Sequence, residues 1–191
     1  MKYKLSPEQA GITPHQVEIE SYNPDWQLMA GEISARLANV LGENLTCVEH
    51  IGSTAVPGLA AKPVIDLIPV VNSLTQLDEQ KQLVEELGYK WHGEFGIAGR
   101  RFCTYTNGAG KRLIHLHFFE KGFGAITRHL AFRDYLRAHP AVARQYEAEK
   151  RRAAQLHAND SLAYNDEKAA WVKHYEKEAL NWYHLHTLQK E

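Results

Sequence analysis

The chain has 191 residues, enough for one domain with a sizeable hydrophobic core. Hydrophobic residues make up 44% and charged residues 24%, a balance that excludes disorder and a fibrous repeat. Basic residues number 22 against 23 acids, a net charge of -1, so a protein held on a long nucleic acid by bulk positive charge is excluded.

Residues 1–15 carry Pro7, Gly11 and Pro14 and read as an irregular lead-in without an apolar leader segment. A short edge strand is expected at 17–22. Asn23-Pro24-Asp25 is a helix-start signal. Trp26, Met29, Ile33, Leu37 and Val40 follow at helical spacing, and Gly42 ends the run. Residues 46–51 are β-prone, and 53–63 read as a loop with a short helical turn. Residues 64–71 read as a buried central strand that Pro69 takes out of the ladder early. Asn72-Ser73 caps a helix expected over 74–87, ended by Gly88. A strand begins at Tyr89, and 93–99 form a loop. Runs 101–106 and 112–119 flank Asn107-Gly108-Ala109-Gly110 as a hairpin. Helices are expected over 127–139, 141–157 and 166 to about 188. The whole reads as one α+β domain, with a mixed-sheet core at about 16–120 and a helical part at about 121–191.

Cys47 and Cys103 are too few for a disulfide framework and lack zinc-knuckle spacing. The longest apolar stretch, 64–71, contains Asp66 and Pro69 and falls far short of the roughly 20 residues of a membrane span. A soluble cytoplasmic protein with no membrane partner is therefore expected.

The most informative run is EHIGSTAVPGLAAKPVID at 49–66. A strand runs into Gly52-Ser53, and a second strand carries Asp66. Gly52 lets backbone approach a ligand closely. The Ser53 hydroxyl and neighbouring N–H groups can hold phosphate. Asp66 can hold Mg²⁺, which prefers oxygen ligands. Lys62 either reaches a phosphate or sits on the surface.

Histidine is over-represented, with 11 residues, and imidazole both titrates near neutrality and binds metals. His115 and His117 share a strand face, roughly 6.6 Å apart at about 3.3 Å per residue. Such a pair can bind one metal, with Asp66, His50 or Glu49 as further ligands. Val48, His50 and Gly52 share one face of a regular strand, which favours His50 over Glu49; a bulge at Gly52 reverses this. Glu49 can alternatively act as a base or pair with an arginine. A His-rich set suits Zn²⁺, Mn²⁺ or Fe²⁺ better than Mg²⁺.

From 98 to 112 the chain holds Arg100, Arg101, Lys111 and Arg112 and no acid. Arg100 and Arg101 are candidates to neutralise phosphate. His129, Phe132 and Arg133 form one helix face that can close over a cleft. The remaining basic side chains of the C-terminal helices, Lys150 among them, read as solvated faces. Lys168 and Trp171 share a face, with Trp171 read as core. Walker A, G-x-G-x-x-G, G-x-S-x-G and H-E-x-x-H patterns are absent.

Gly-Ser followed by a carboxylate-bearing strand resembles the nucleotidyltransferase superfamily. More closely, the runs at 49–66, GIAGRRF (96–102), HLHFFE (115–120), HLAFRDYLRAHP (129–140) and KAAWV (168–172) resemble the GrpB family over nearly the entire chain. The resemblance implies a nucleotidyltransferase-like fold and Mg²⁺. One departure is plain: Ile68 stands where that superfamily carries its second acid, and two-metal catalysis needs bridging carboxylates. Three functions stay open. The first is a protein binding a nucleotide or phosphorylated small molecule in a metal-containing cleft, with nucleotidyl transfer at Asp66, His115 and His117. The second is a non-catalytic ligand-binding or regulatory module. The third is a metal-dependent phosphoesterase. Oligomeric state is left open.

Overall fold

The computed structural model describes residues 16–187; the lead-in at 1–15 and the helix end at Leu188 lie outside the described residues. Helix α1 spans Asp25–Leu41, and its first turn is held by the Asn23 side chain, which accepts the Asp25 N–H at 2.9 Å. Trp26, Ala30, Ile33, Leu37 and Leu41 form its buried stripe, while Met29 lies on the outer side. Strand β1 (Leu45–Ile51) follows, then a 3-10 turn at Ser53–Ala55 and strand β2 (Ile65–Val71). Residues 17–22 make an isolated bridge, Glu20 to Ala61, in place of the expected strand.

The helix expected over 74–87 is two short ones, α2 (Leu74–Glu79) and α3 (Lys81–Glu86). The break falls at Gln80, whose amide accepts from Asn44 at 3.0 Å and donates to the Leu41 carbonyl at 3.2 Å. Strand β3 (Lys90–Trp91) leads to the hairpin of β4 (Arg100–Thr106) and β5 (Arg112–Glu120). The Asn107 carboxamide oxygen secures its turn, accepting from Ala109 and Lys111. Helices α4 (Gly124–Ala138), α5 (Pro140–Leu156) and α6 (Ser161–Thr187) complete the chain. Helix α6 starts before the expected position because the Asp160 carboxylate caps the N–H groups of Leu162 and Ala163. No described helix is long and apolar enough to cross a membrane.

The five strands form one mixed sheet in the order β1-β2-β5-β4-β3, with β2 and β5 parallel and the other pairs antiparallel. Pro69 stays within the sheet, opposite Val48. Its missing N–H shows on the other side, where the β2–β5 ladder passes from Leu67–Leu116 to Val70–Phe119. One sheet face packs Ile65, Leu67, Val71, Leu116 and Phe118 with α1 to α3. The other packs Ile51, Ile68, Val70 and Phe119 beside Ile126 and Leu130 of α4. A third apolar cluster ties Val56 and Leu59 to Leu136 and Tyr146, with Trp171 stacked on Tyr146 at 4.8 Å.

Ile68 is fully buried in the α4-facing cluster. The position of the second acid is therefore a packing position. Truncation to Ile68→Ala should destabilise the protein by about 2–5 kcal/mol, read by urea unfolding. A loss too small to measure would contradict this packing.

Candidate functional site

Side chains at alternate positions share a sheet face, so the register decides what meets. Asp66 on β2 lies opposite both Ile51 of β1 and His115 of β5. His117 follows on the same face. Nδ1 of His115 contacts Oδ1 of Asp66 at 2.8 Å, and Nε2 of His117 lies 3.8 Å from the same oxygen. One ligating atom from each of these residues lies within 4.8 Å of the others, a spacing that can hold a metal ion. Burial alone would raise the Asp66 pKa, but the two histidines outweigh it and hold the carboxyl well below the usual range. Nε2 of His115 is buried without a hydrogen-bond partner.

Gly52 is required beside this acid. Its φ of 71° is left-handed, and a Cβ there would meet Oδ2 of Asp66 at 2.8 Å. The expected close approach is thus made to the carboxylate.

A cavity of about 390 Å³ opens over the cluster. Of the residues singled out in the sequence, Gly52, Ser53, Lys62, Asp66, His115, His117 and His129 line it. So do Lys150, Tyr164, Asn165 and Lys168 from α5 and α6. Lys150 is 1% exposed and donates to the Ala60 carbonyl. Lys62 and Lys168 lie 5.3 and 4.9 Å from the Tyr164 ring centroid. None of the three ammonium groups forms an ion pair among the described residues. Burial, with repulsion from Lys168 second, lowers Lys62 to about 8 and Lys150 to about 7. An anion in the cavity would relieve both effects. Lys62 is a candidate from the sequence, but Lys150 is hidden in a charged helical run, and the KAAWV run at 168–172 is the signal available for Lys168.

Other candidates are placed elsewhere. The pairing Ile51–Asp66 puts Glu49 on the α4 side and His50 on the α1 side, the reverse of the parity expected from a cleft beside Gly52. The Glu49 carboxylate pairs with Arg133 at 2.8 Å, and Arg133 also binds the His50 carbonyl and Asp134. His50 is hydrogen-bonded to Thr54 at 3.0 Å and to Gln27 at 3.4 Å. Neither Glu49 nor His50 joins the three-residue cluster, and Arg133 staples α4 to β1 instead of lining the cavity. Arg101 points to the opposite face and holds both Asp78 oxygens at 2.6 Å. Arg100 lies behind His117, its Nη1 at 3.4 Å from Nδ1. His129 accepts from Arg128 at 3.0 Å, and its ring centroid is 6.2 Å from that of His117.

Burial lowers His50 from 6.5 to about 4 and His129 from 6.5 to about 3, the latter also through Arg128 and His117. Unfolding lets both take up a proton below about pH 6.5. The stability they contribute is full above that pH and is lost as pH falls toward the folded values. Asp66 acts in a lower window, losing its contribution below the ordinary carboxylate range. The melting temperature should drop between pH 7 and pH 5, less steeply in His129→Asn. Equal slopes in the two proteins would contradict a buried neutral His129.

The GrpB protein family matches residues 16–178. The UPF0157 protein YqkA of Bacillus subtilis (strain 168) is 41% identical over 167 residues, covering 87% of this chain and 48% of that protein. A dephospho-CoA kinase of Mycobacterium leprae (strain TN) is 30% identical over 206 residues, covering 94% of this chain and 50% of the kinase. The chain thus spans about half the length of each of these two relatives. The crystal structure of conserved protein GrpB from Enterococcus faecalis matches with a TM-score of 0.82 and 41% identity, over 87% of this chain and 99% of that one. With this family match spanning most of its length, and the same fold in a solved relative, the chain belongs to the GrpB family.

Proposed function

We propose that the cavity binds a nucleotide or another phosphorylated small molecule beside a divalent metal, and that it acts on a phosphoryl group of that ligand. The observation that carries this reading is the opposition, across one cavity, of Asp66, His115 and His117 to Lys62, Lys150 and Lys168. Three lysines without a carboxylate ion pair among the described residues favour a multiply charged anion, which would draw Lys62 and Lys150 back toward their protonated forms. Ser53 adds a hydroxyl at the cavity wall.

The donor set discriminates between metals. A magnesium pair needs several carboxylate oxygens, and the cluster offers one carboxylate while Ile68 is buried in apolar packing. Two imidazoles and a carboxylate fit Zn²⁺, Mn²⁺ or Fe²⁺. Asp66, His115 and His117 would hold it, and a bound metal would supply Lewis-acid polarisation of a phosphoryl oxygen. The lysines would orient the phosphates, and Asp66 would keep its neighbouring imidazoles in place. Two free cysteines, Cys47 exposed and Cys103 buried, fit the reducing cytoplasm expected for it.

A second reading is a non-catalytic ligand-binding module. It is supported by the buried Ile68 and by the match of this chain to half of a larger kinase.

Calorimetric titration with nucleoside triphosphate and Mn²⁺ or Zn²⁺ tests both readings. Lys150→Gln and Lys168→Gln should each weaken binding by roughly 10- to 100-fold, the loss of one charge-assisted contact. Asp66→Asn should remove the metal dependence and keep the fold. Unchanged affinity in all three variants would refute the site. Pyrophosphate release would favour transfer over the binding module.

A further inference from the structure

Arg100 is a buried cation, 7% exposed, with no carboxylate partner among the described residues. Each of its nitrogens has a polar contact. Nε donates to the Glu94 carbonyl at 3.2 Å, and Nη2 donates to the Phe95 carbonyl at 2.7 Å. The guanidinium lies 4.9 Å from the Phe102 ring centroid. Phe95 itself has a φ of 47°, a conformation that a bulky residue keeps only when its surroundings impose it. The turn and the guanidinium therefore fix one another. Burial lowers Arg100 to about 10, so it remains charged at neutral pH.

The remaining nitrogen, Nη1, faces Nδ1 of His117 at 3.4 Å. A guanidinium has donors only. Nδ1 is therefore the acceptor, and the neutral ring holds its proton on Nε2, the atom 3.8 Å from Asp66. We infer that Arg100 is a positioning residue that fixes His117 in the Nε2–H tautomer, so that His117 presents a proton to the cavity. The inference rests on the reading of Asp66, His115 and His117 as the reactive cluster.

Two consequences follow from the geometry. His117 is set to donate toward the Asp66 carboxylate and toward an oxygen bound beside it. A metal that takes His117 through Nε2 must first move the proton to Nδ1, where it meets the Arg100 donor. Arg100 thus weakens metal capture by the third ligand and separates the role of His117 from that of His115.

The test is ¹⁵N-correlated NMR of the His117 ring in the metal-free, full-length protein at neutral pH, with Zn²⁺ titration alongside. Wild type should show the proton on Nε2, and Arg100→Lys, still a donor, should keep it there. The Arg100→Gln oxygen can accept from Nδ1–H; that variant should shift the proton to Nδ1 and bind Zn²⁺ on the order of tenfold more tightly. A wild-type ring protonated at Nδ1 overturns the inference, even if a variant fails to fold. So does a folded Arg100→Gln protein with unchanged tautomer and unchanged Zn²⁺ affinity. If no form binds Zn²⁺, the metal part of the proposed function fails, while the tautomer measurement still decides the role of Arg100.

Discussion

The parallel pairing of β2 with β5 sets the position of everything in the cleft. It places Asp66 beside His115 although 49 residues of chain separate them. An isolated carboxylate at this depth would be costly to ionise. With His115 at 2.8 Å and His117 on the same face, Asp66 is instead held ionised. The same placement dictates Gly52, since the acid occupies the space of any Cβ there. It also dictates Ile68, which follows Asp66 on the same face but falls under α4 and must be apolar.

The helical part completes the cavity and does more than cover the sheet. The segment after Ser53 is pinned from α4 and α5. Arg137 donates twice to the Ala55 carbonyl, at 3.0 and 2.7 Å. Glu147 accepts the Ala60 N–H at 3.1 Å, and Lys150 donates to the Ala60 carbonyl. Lys150 therefore both anchors this wall and lines the cavity, although it is almost fully buried. With Lys62 and Lys168 it gives one side of the cavity three lysines that form no ion pair among the described residues, across from an acid held by two histidines. The near-zero net charge of the chain conceals that local excess.

Much of this was legible in the sequence, for physical reasons. The His115–His117 alternation follows from the two-residue period of a strand. The Gly-Ser element and Asp66 belong to one continuous run, so their proximity needed only one turn of chain. The hairpin at Asn107 carries its own side-chain turn chemistry. Other features depend on long-range pairing that local pattern does not encode. Whether Glu49 or His50 faces the cleft is decided by Ile51 pairing with Asp66. Arg101 turned to Asp78 because strand parity sends it to the other face. Lys150 reads as solvated because a helix with charges on several sides gives no sign of which one is covered. Gln80 breaks its helix through contacts with Asn44 and Leu41, which lie far back along the chain.

The most direct test of the account is a crystal structure grown with Mn²⁺ and a nucleoside triphosphate, with the metal located by its anomalous signal. The account places the metal against Asp66, His115 and His117, and the phosphates against Lys62, Lys150 and Lys168. A well-ordered ligand bound elsewhere, such as the cavity beside Leu136 and Arg144, with the Asp66 cavity empty, would contradict it.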